Sequence, residues 1–115
     1  MRELLEKTLD TLGYPVHLQG SLADPSDYPA NFITYQTLDS PEQDFLDGQP
    51  HGTQWRYAVI FYTNNPALLS TVPTQIYNAL KSAGFIPQGK GYDIPSDEPE
   101  WSGWVNEYYY LEVTK

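Results

Sequence analysis

Cysteine is absent from the 115 residues, methionine occurs once and histidine twice. Without thiols the chain has no disulfide framework, no thiolate nucleophile and no thiolate metal site. Such a composition is compatible with a reducing cytosol. Basic residues are scarce as well. Arg2, Lys7, Arg56, Lys81, Lys90 and Lys115 stand against fifteen Asp and Glu, for a net charge of −9 and a pI near 4.3. A surface that reads phosphates needs clustered Lys and Arg, so sequence-specific binding of nucleic acid is excluded as a function class. Mimicry of DNA is a lesser use of such acidity, which serves solubility first. Long apolar runs are missing too. No stretch approaches the ~18 residues of a membrane span. Charges also interrupt Met-Arg-Glu-Leu-Leu-Glu-Lys where a signal peptide would need an apolar core. The expectation is a soluble protein made in the cytoplasm, with no membrane partner.

Aromatic residues, by contrast, are plentiful. They make up 15% of the chain, with ten Tyr and three Trp, and the hydrophobic share is 40%. That is too apolar for a disordered tail, even with ten Pro. The length predicts one domain spanning residues 1–115 that buries roughly two thirds of its unfolded surface.

The pattern is organised around Thr53 to Pro66, the longest run of β-branched and aromatic residues before the C-terminus. Trp55, Tyr57, Val59 and Phe61 fall on one side of a period-two strand, and Gln54, Arg56, Ala58, Ile60 and Tyr62 on the other. The second side turns from polar to apolar along its length. This predicts a central strand covered on one face throughout and on the other only near its end. Before it, Leu5, Leu9 and Leu12 predict a helix over Arg2 to Leu12 that stops at Gly13. Val16 to Gln19 and Asn31 to Leu38 read as strands, separated by a loop rich in Asp, Pro and Ser. Asp39 to Gly52 reads as a long acidic connection, and Thr53 to Thr63 returns antiparallel beside Phe32 to Leu38.

After the central strand, Asn65-Pro66 places a capping side chain before a first-turn proline. Ala67 to Ala83 then predicts a helix in two pieces, the second opened by Pro73 and capped near Thr71, with Val72, Ile76, Leu80 and Ala83 as its buried stripe. Phe85-Ile86-Pro87 begins a further strand, Gln88 to Gly103 reads as a loop, and Trp104 to Val113 is the last strand. There Val105, Tyr109, Leu111 and Val113 share a face with Glu107, while Trp104, Tyr108 and Tyr110 share the other. The order α-β-β-β-α-β-β predicts an α+β domain: a mainly antiparallel sheet of about four to five strands with two helices packed on one face.

No constellation carries chemistry. Gly89-Lys90-Gly91 lacks Walker spacing and has no helix after it, so it reads as a turn. Asp93, Asp97, Glu98 and Glu100 crowd one segment without the alternating ligands and fixed Gly of a calcium loop. They read as solvated charges, as do Asp39, Glu42, Asp44 and Asp47. His17 and His51 would have to converge with a carboxylate to form a metal site or a catalytic base. No Ser or Thr lies in a nucleophile elbow. The expectation is no catalytic residue, no metal and no cofactor: not an enzyme. The aromatic excess points elsewhere, because Tyr and Trp concentrate at protein interfaces. Tyr92, Trp101 and Trp104, in or beside a polar segment, are candidate interface residues. So are Tyr108 and Tyr110 of the Tyr108-Tyr109-Tyr110 run, and Phe45, which can pin its loop; the competing reading is that Tyr merely decorates sheet faces.

Three stretches carry a family resemblance: Tyr28-Pro29-Ala30-Asn31-Phe32-Ile33-Thr34-Tyr35, Trp55-Arg56-Tyr57-Ala58-Val59-Ile60-Phe61-Tyr62, and Gly89-Lys90-Gly91-Tyr92-Asp93-Ile94-Pro95-Ser96-Asp97-Glu98-Pro99. They resemble prophage-encoded proteins of Gram-positive bacteria from the head-to-tail joining region. The element order is also similar to the tail terminator, or tail completion, family of long-tailed phages. The resemblance covers most of the chain and rests on short, non-catalytic motifs. It implies a non-enzymatic virion protein, a terminator or minor tail component. Such a protein forms a ring with copies of itself, typically a hexamer, that meets the tail-tube protein and the head connector. It also implies residence in the host cytoplasm during assembly and then in the virion tail. The alternative from another class is a small acidic cytoplasmic binding module or inhibitor that acts as a monomer.

Overall fold

The N-terminal leucines fold as their spacing dictates. Leu5 and Leu9, one turn apart, are fully buried on the inner side of α1 (Arg2–Asp10), while Arg2, Glu3 and Lys7 are exposed. A turn follows and ends at Gly13, whose φ of 85° lies in the left-handed region. The chain then enters β1 (Val16–Leu18), β2 (Asn31–Asp39), β3 (Glu42–Asp44) and β4 (Pro50–Thr63). The computed structural model describes residues 1–22, 28–40, 42–44 and 50–113, with the backbone alone at 42–44 and 50–51.

At the end of β4 the Asn65 side chain accepts a hydrogen bond from the Ala67 N–H at 3.3 Å, and Pro66 opens a 3-10 helix over Pro66–Ser70. The second helical piece, α2 (Val72–Ser82), carries Pro73 in its first turn, where a missing N–H costs nothing. Thr71 stands at its start, but its hydroxyl donates back to the Leu68 carbonyl instead of capping α2. Three more strands complete the chain: β5 (Ile86–Pro87), β6 (Tyr92–Pro95) and β7 (Ser102–Val113).

Among the described residues the sheet has seven strands, in the order β1-β2-β4-β7-β5, with β3 added beside β4 and β6 beside β7. Two of these lie inside segments that read as connections. β3 falls within Asp39 to Gly52, and β6 within Gln88 to Gly103. Both are short and borrow their hydrogen bonds from a long neighbour, so they leave little periodic signal of their own. The sheet is mixed: β1 runs parallel to β2, with Val16 opposite Ile33, and the other pairings are antiparallel. As expected, β4 returns antiparallel beside β2, with Ile33 opposite Phe61 and Tyr35 opposite Val59.

The core lies between one face of this sheet and the two helices. Leu5 and Leu9 from α1 and Val72, Ile76 and Leu80 from α2 close over Ile33, Tyr35, Tyr57, Val59, Phe61, Phe85 and Tyr108. Among the described residues the other face bears no helix. It has a smaller apolar cluster of Ala58, Ile60 and Val105, flanked by Leu38, Tyr62 and Ile94. Two phenols sit deep in the helix-side core. Tyr57 is 0% exposed, its hydroxyl has no hydrogen-bond partner among the described residues, and burial pushes its pKa up to about 12. Burial also pushes Tyr108 up to about 12, against a hydrogen bond from Asn106 that lowers it.

Two outcomes follow from this core. Val59 is 3% exposed between the helices and the sheet. Val59→Asp is expected to unfold the domain, because an unpaired buried carboxylate costs several kcal/mol or more; a native circular dichroism spectrum would contradict that placement. The phenols set an alkaline limit. Their folded-state pKa values lie above the ordinary 10.0, so the unfolded chain ionises first. Their contribution is fully present below pH 10.0 and is lost as pH rises through about 12. Urea midpoints should hold steady up to roughly pH 9 and fall above it, and a flat profile would count against it.

Candidate functional site

Pairing within the sheet sorts the surface. Along β7, residues Val105, Glu107, Tyr109, Leu111 and Val113 alternate with Trp104, Asn106, Tyr108, Tyr110 and Glu112. The first set faces away from the helices, because Val105 belongs to the helix-free cluster while Tyr108 belongs to the core. Register carries the same sorting to the edge strands. Ile86 lies opposite Tyr109 and Tyr92 opposite Val105, so both share the open face. Five large hydrophobic residues are exposed among the described ones: Leu18, Ile86, Tyr92, Leu111 and Val113. Four of the five therefore lie on the helix-free face.

Ile86, Leu111 and Val113 gather at one end of it. There β4 and β7 continue past the end of β5, whose last pairing is Ile86 with Tyr109. Beyond that point the outer edge of β7 has no ladder partner among the described residues, while its inner edge stays paired as far as Gly52 opposite Val113. This is a free strand edge with apolar side chains beside it, which is a template for adding a further strand.

Arg56 marks where the apolar cluster ends. Its guanidinium lies 3.1 Å from Asp39 and 3.7 Å from Glu107. The hydrogen bond that the guanidinium donates to the Tyr109 oxygen, ahead of the two carboxylates, raises its already high pKa further. The cation stays charged and is neutralised by its neighbours, so it holds the face together at a solvent-facing point.

The six sequence-derived interface residues do not form one patch. Tyr92 is 58% exposed on the open face. Trp101 is half-buried and tied to its own chain: its indole N–H donates to the Pro29 carbonyl at 3.0 Å, and its ring meets Tyr28 edge-on at 5.6 Å. Trp104 lies on the helix side and donates to the Lys90 carbonyl at 3.0 Å. Tyr110 packs on Phe85, with ring centroids 4.9 Å apart. Tyr108 corrects the expectation outright. At 1% exposure it is a core residue with no surface to offer a partner. Phe45 lies outside the described residues. What residue-type reasoning missed is aliphatic: Ile86, Leu111 and Val113. A signal was present, since Leu111 and Val113 share a face with Glu107, and a charged residue in that row marks an open face.

The Gly89-Lys90-Gly91 turn is held by β7 on both sides. Asn106 donates to the Gly89 carbonyl at 2.8 Å and Trp104 to that of Lys90, while the Lys90 ammonium rests 3.9 Å above the Tyr77 ring. Gly91 has a φ of +95°, and a Cβ there would meet Trp104 Nε1 and the Val105 carbonyl oxygen. The turn is thus a structural clasp between the two edge strands. Among the described residues, no three His, Asp or Glu side chains gather as metal ligands. His17 lies half-buried on β1, and the side chain of His51 lies outside the described residues. Among the described residues, no helix is long and apolar enough to cross a membrane.

Comparison with the models of known protein families and with curated protein sequences finds no match to this chain.

Gly91→Ala separates clash from backbone strain. Gly20 shares the left-handed backbone, with φ +85°, but nothing lies within 4 Å of a Cβ added there. Gly20→Ala should cost about 1 kcal/mol from φ alone, and Gly91→Ala clearly more. Equal shifts in denaturation midpoint would mean that the close approach of Trp104 to Gly91 is not a constraint.

Proposed function

We propose that this chain is a non-enzymatic structural subunit of a phage virion, a tail terminator, tail completion or neighbouring minor tail protein, which assembles as a ring at the head–tail junction. The observation that carries the reading is the free outer edge of β7 with Ile86, Leu111 and Val113 exposed beside it. A second copy of the chain is the occupant we assign to it. Copies that meet head to tail through unlike surfaces close into a ring when the rotation between them closes. The resemblance of three separate stretches to head-to-tail joining proteins supports the same role. The net charge of −9 suits a ring through which DNA passes without sticking, because like charges repel. The tail-tube protein and the head connector are the further partners. In this reading the protein works in the host cytoplasm during assembly and stays in the virion afterwards. No catalytic step and no cofactor is assigned.

Light scattering on the purified chain, alone and mixed with the tail-tube protein, tests this. The expected result is a closed oligomer, formed either with rising concentration or on addition of the tube protein. Leu111→Lys with Val113→Lys should abolish it while leaving the circular dichroism spectrum unchanged, since both side chains are exposed and exposed substitutions cost little stability. A strict monomer at high concentration that also fails to bind the tube protein would leave the acidic binding module as the better reading.

A further inference from the structure

One hydrogen bond fixes which backbone groups β7 presents at its free edge. The Gln88 N–H donates to the Glu107 carbonyl at 2.9 Å, so Glu107 turns its backbone groups toward β5. Every second residue of an antiparallel strand turns them the same way, and β7 pairs with β4 from Ser102 to Val113 without a shift. Tyr109, Leu111 and Val113 therefore share the direction of Glu107. Tyr109 meets Ile86 of β5. Leu111 and Val113 are left with their N–H and C=O groups at the free edge, and with exposed apolar side chains on the helix-free face.

In shape and backbone hydrogen bonding this edge matches itself. In an antiparallel pair about a two-fold axis, outward-facing residues must stand opposite outward-facing residues. Leu111 opposite Leu111 of a second copy would carry Val113 onto Tyr109, where Ile86 already sits. Leu111 opposite Val113 clears β5, satisfies both N–H and both C=O groups on each copy, and brings the apolar side chains together. On the helix side, however, that register sets Glu112 directly opposite Glu112, with Cβ atoms about 5 Å apart. Glu112 is half-buried, its carboxylate accepts from the Trp55 indole at 3.2 Å, and among the described residues no cation pairs with it. Like charges directly opposite each other destabilise a strand pair.

Resting on the reading that a second copy occupies this edge, we infer that Glu112 bars β7 from pairing with its own copy about a two-fold axis. The edge is thereby kept for an unlike surface of the next copy. A two-fold pair closes at two subunits and uses the edge up, whereas head-to-tail contact leaves each copy able to take another. One carboxylate in an otherwise self-matching edge decides between the two.

Sedimentation equilibrium of the full chain tests this, with circular dichroism to confirm the fold of each variant. Glu112→Gln keeps a side-chain oxygen for the Trp55 indole and removes the charge. It should dimerise roughly fivefold more tightly than the unchanged chain, the upper end for one cross-strand pair. Glu100→Gln removes the same charge at an exposed position before the other end of β7, and should leave association as it was. Glu112→Lys should pair with the unchanged chain more tightly than with itself, since Lys then faces Glu. The chain has no cysteine. A disulfide between a Leu111→Cys copy and a Val113→Cys copy, both also Glu112→Gln, therefore reports the expected register. Equal association of Glu112→Gln and Glu100→Gln, no preference of Glu112→Lys for the unchanged chain, or a tighter dimer without that disulfide would overturn the role of Glu112, whether or not a ring forms. A disulfide-linked Glu112→Gln dimer, from a chain that neither forms a ring nor binds the tube protein, would uphold Glu112 and count against the ring alone.

Discussion

The pairing of β4 with β7 is the constraint on which the rest depends. It runs without a break from Thr63 opposite Ser102 to Gly52 opposite Val113. β4 is 14 residues long, which at about 3.3 Å per residue spans roughly 46 Å. The 11 residues of α2 reach only about 16 Å. Two short helices cannot cover such a ribbon, so the molecule is elongated, with principal extents of 52 × 26 × 22 Å. Everything that bears on function follows from that mismatch in length. The covered part becomes core, and the uncovered part becomes surface rich in apolar and aromatic groups.

The two faces of the ribbon resolve the mismatch differently. On the helix side, Trp55 and Tyr110 lie opposite each other near the limit of coverage, and the Trp55 indole donates to Glu112 at 3.2 Å, so the ring's polar edge has a partner where burial ends. On the open side, the apolar cluster of Ala58, Ile60 and Val105 gives way to Arg56 held by Asp39 and Glu107. Beyond that ion cluster the side chains turn apolar again at Leu111 and Val113, which are exposed and, among the described residues, have no element over them. Apolar residues that return after a charged boundary have no folding reason to be there, which is why they support an interface better than the aromatics do. At the opposite end of the same face, the aromatic residues turn inward on one another around a cavity.

The aromatic content thus proves a poor guide to the outer surface. Most of these rings serve the chain's own packing, as a lid over Phe32 and Tyr62, as a clasp on the Gly89–Gly91 turn, or as core. Trp101 and Trp104 both spend their indole N–H groups on carbonyls of their own chain, at Pro29 and Lys90. These contacts join residues far apart in sequence, and no local pattern announces them.

Local pattern alone determined a good deal. Period two in Trp55 to Tyr62 separates a core face from a partly covered one, and the Leu5 and Leu9 spacing sets the buried side of α1. Asn65-Pro66 and Pro73 divide the second helical region, because capping and proline chemistry act within one turn of chain. The helix-on-sheet architecture follows from those elements. Tertiary structure decided the rest. β3 and β6 exist because β4 and β7 supply their hydrogen bonds, and β1 runs parallel to β2 because of how the chain returns. Tyr108 is core and Leu111 is surface for a single reason: alternation assigns a residue to a face, but only the reach of the helices decides whether that face is covered.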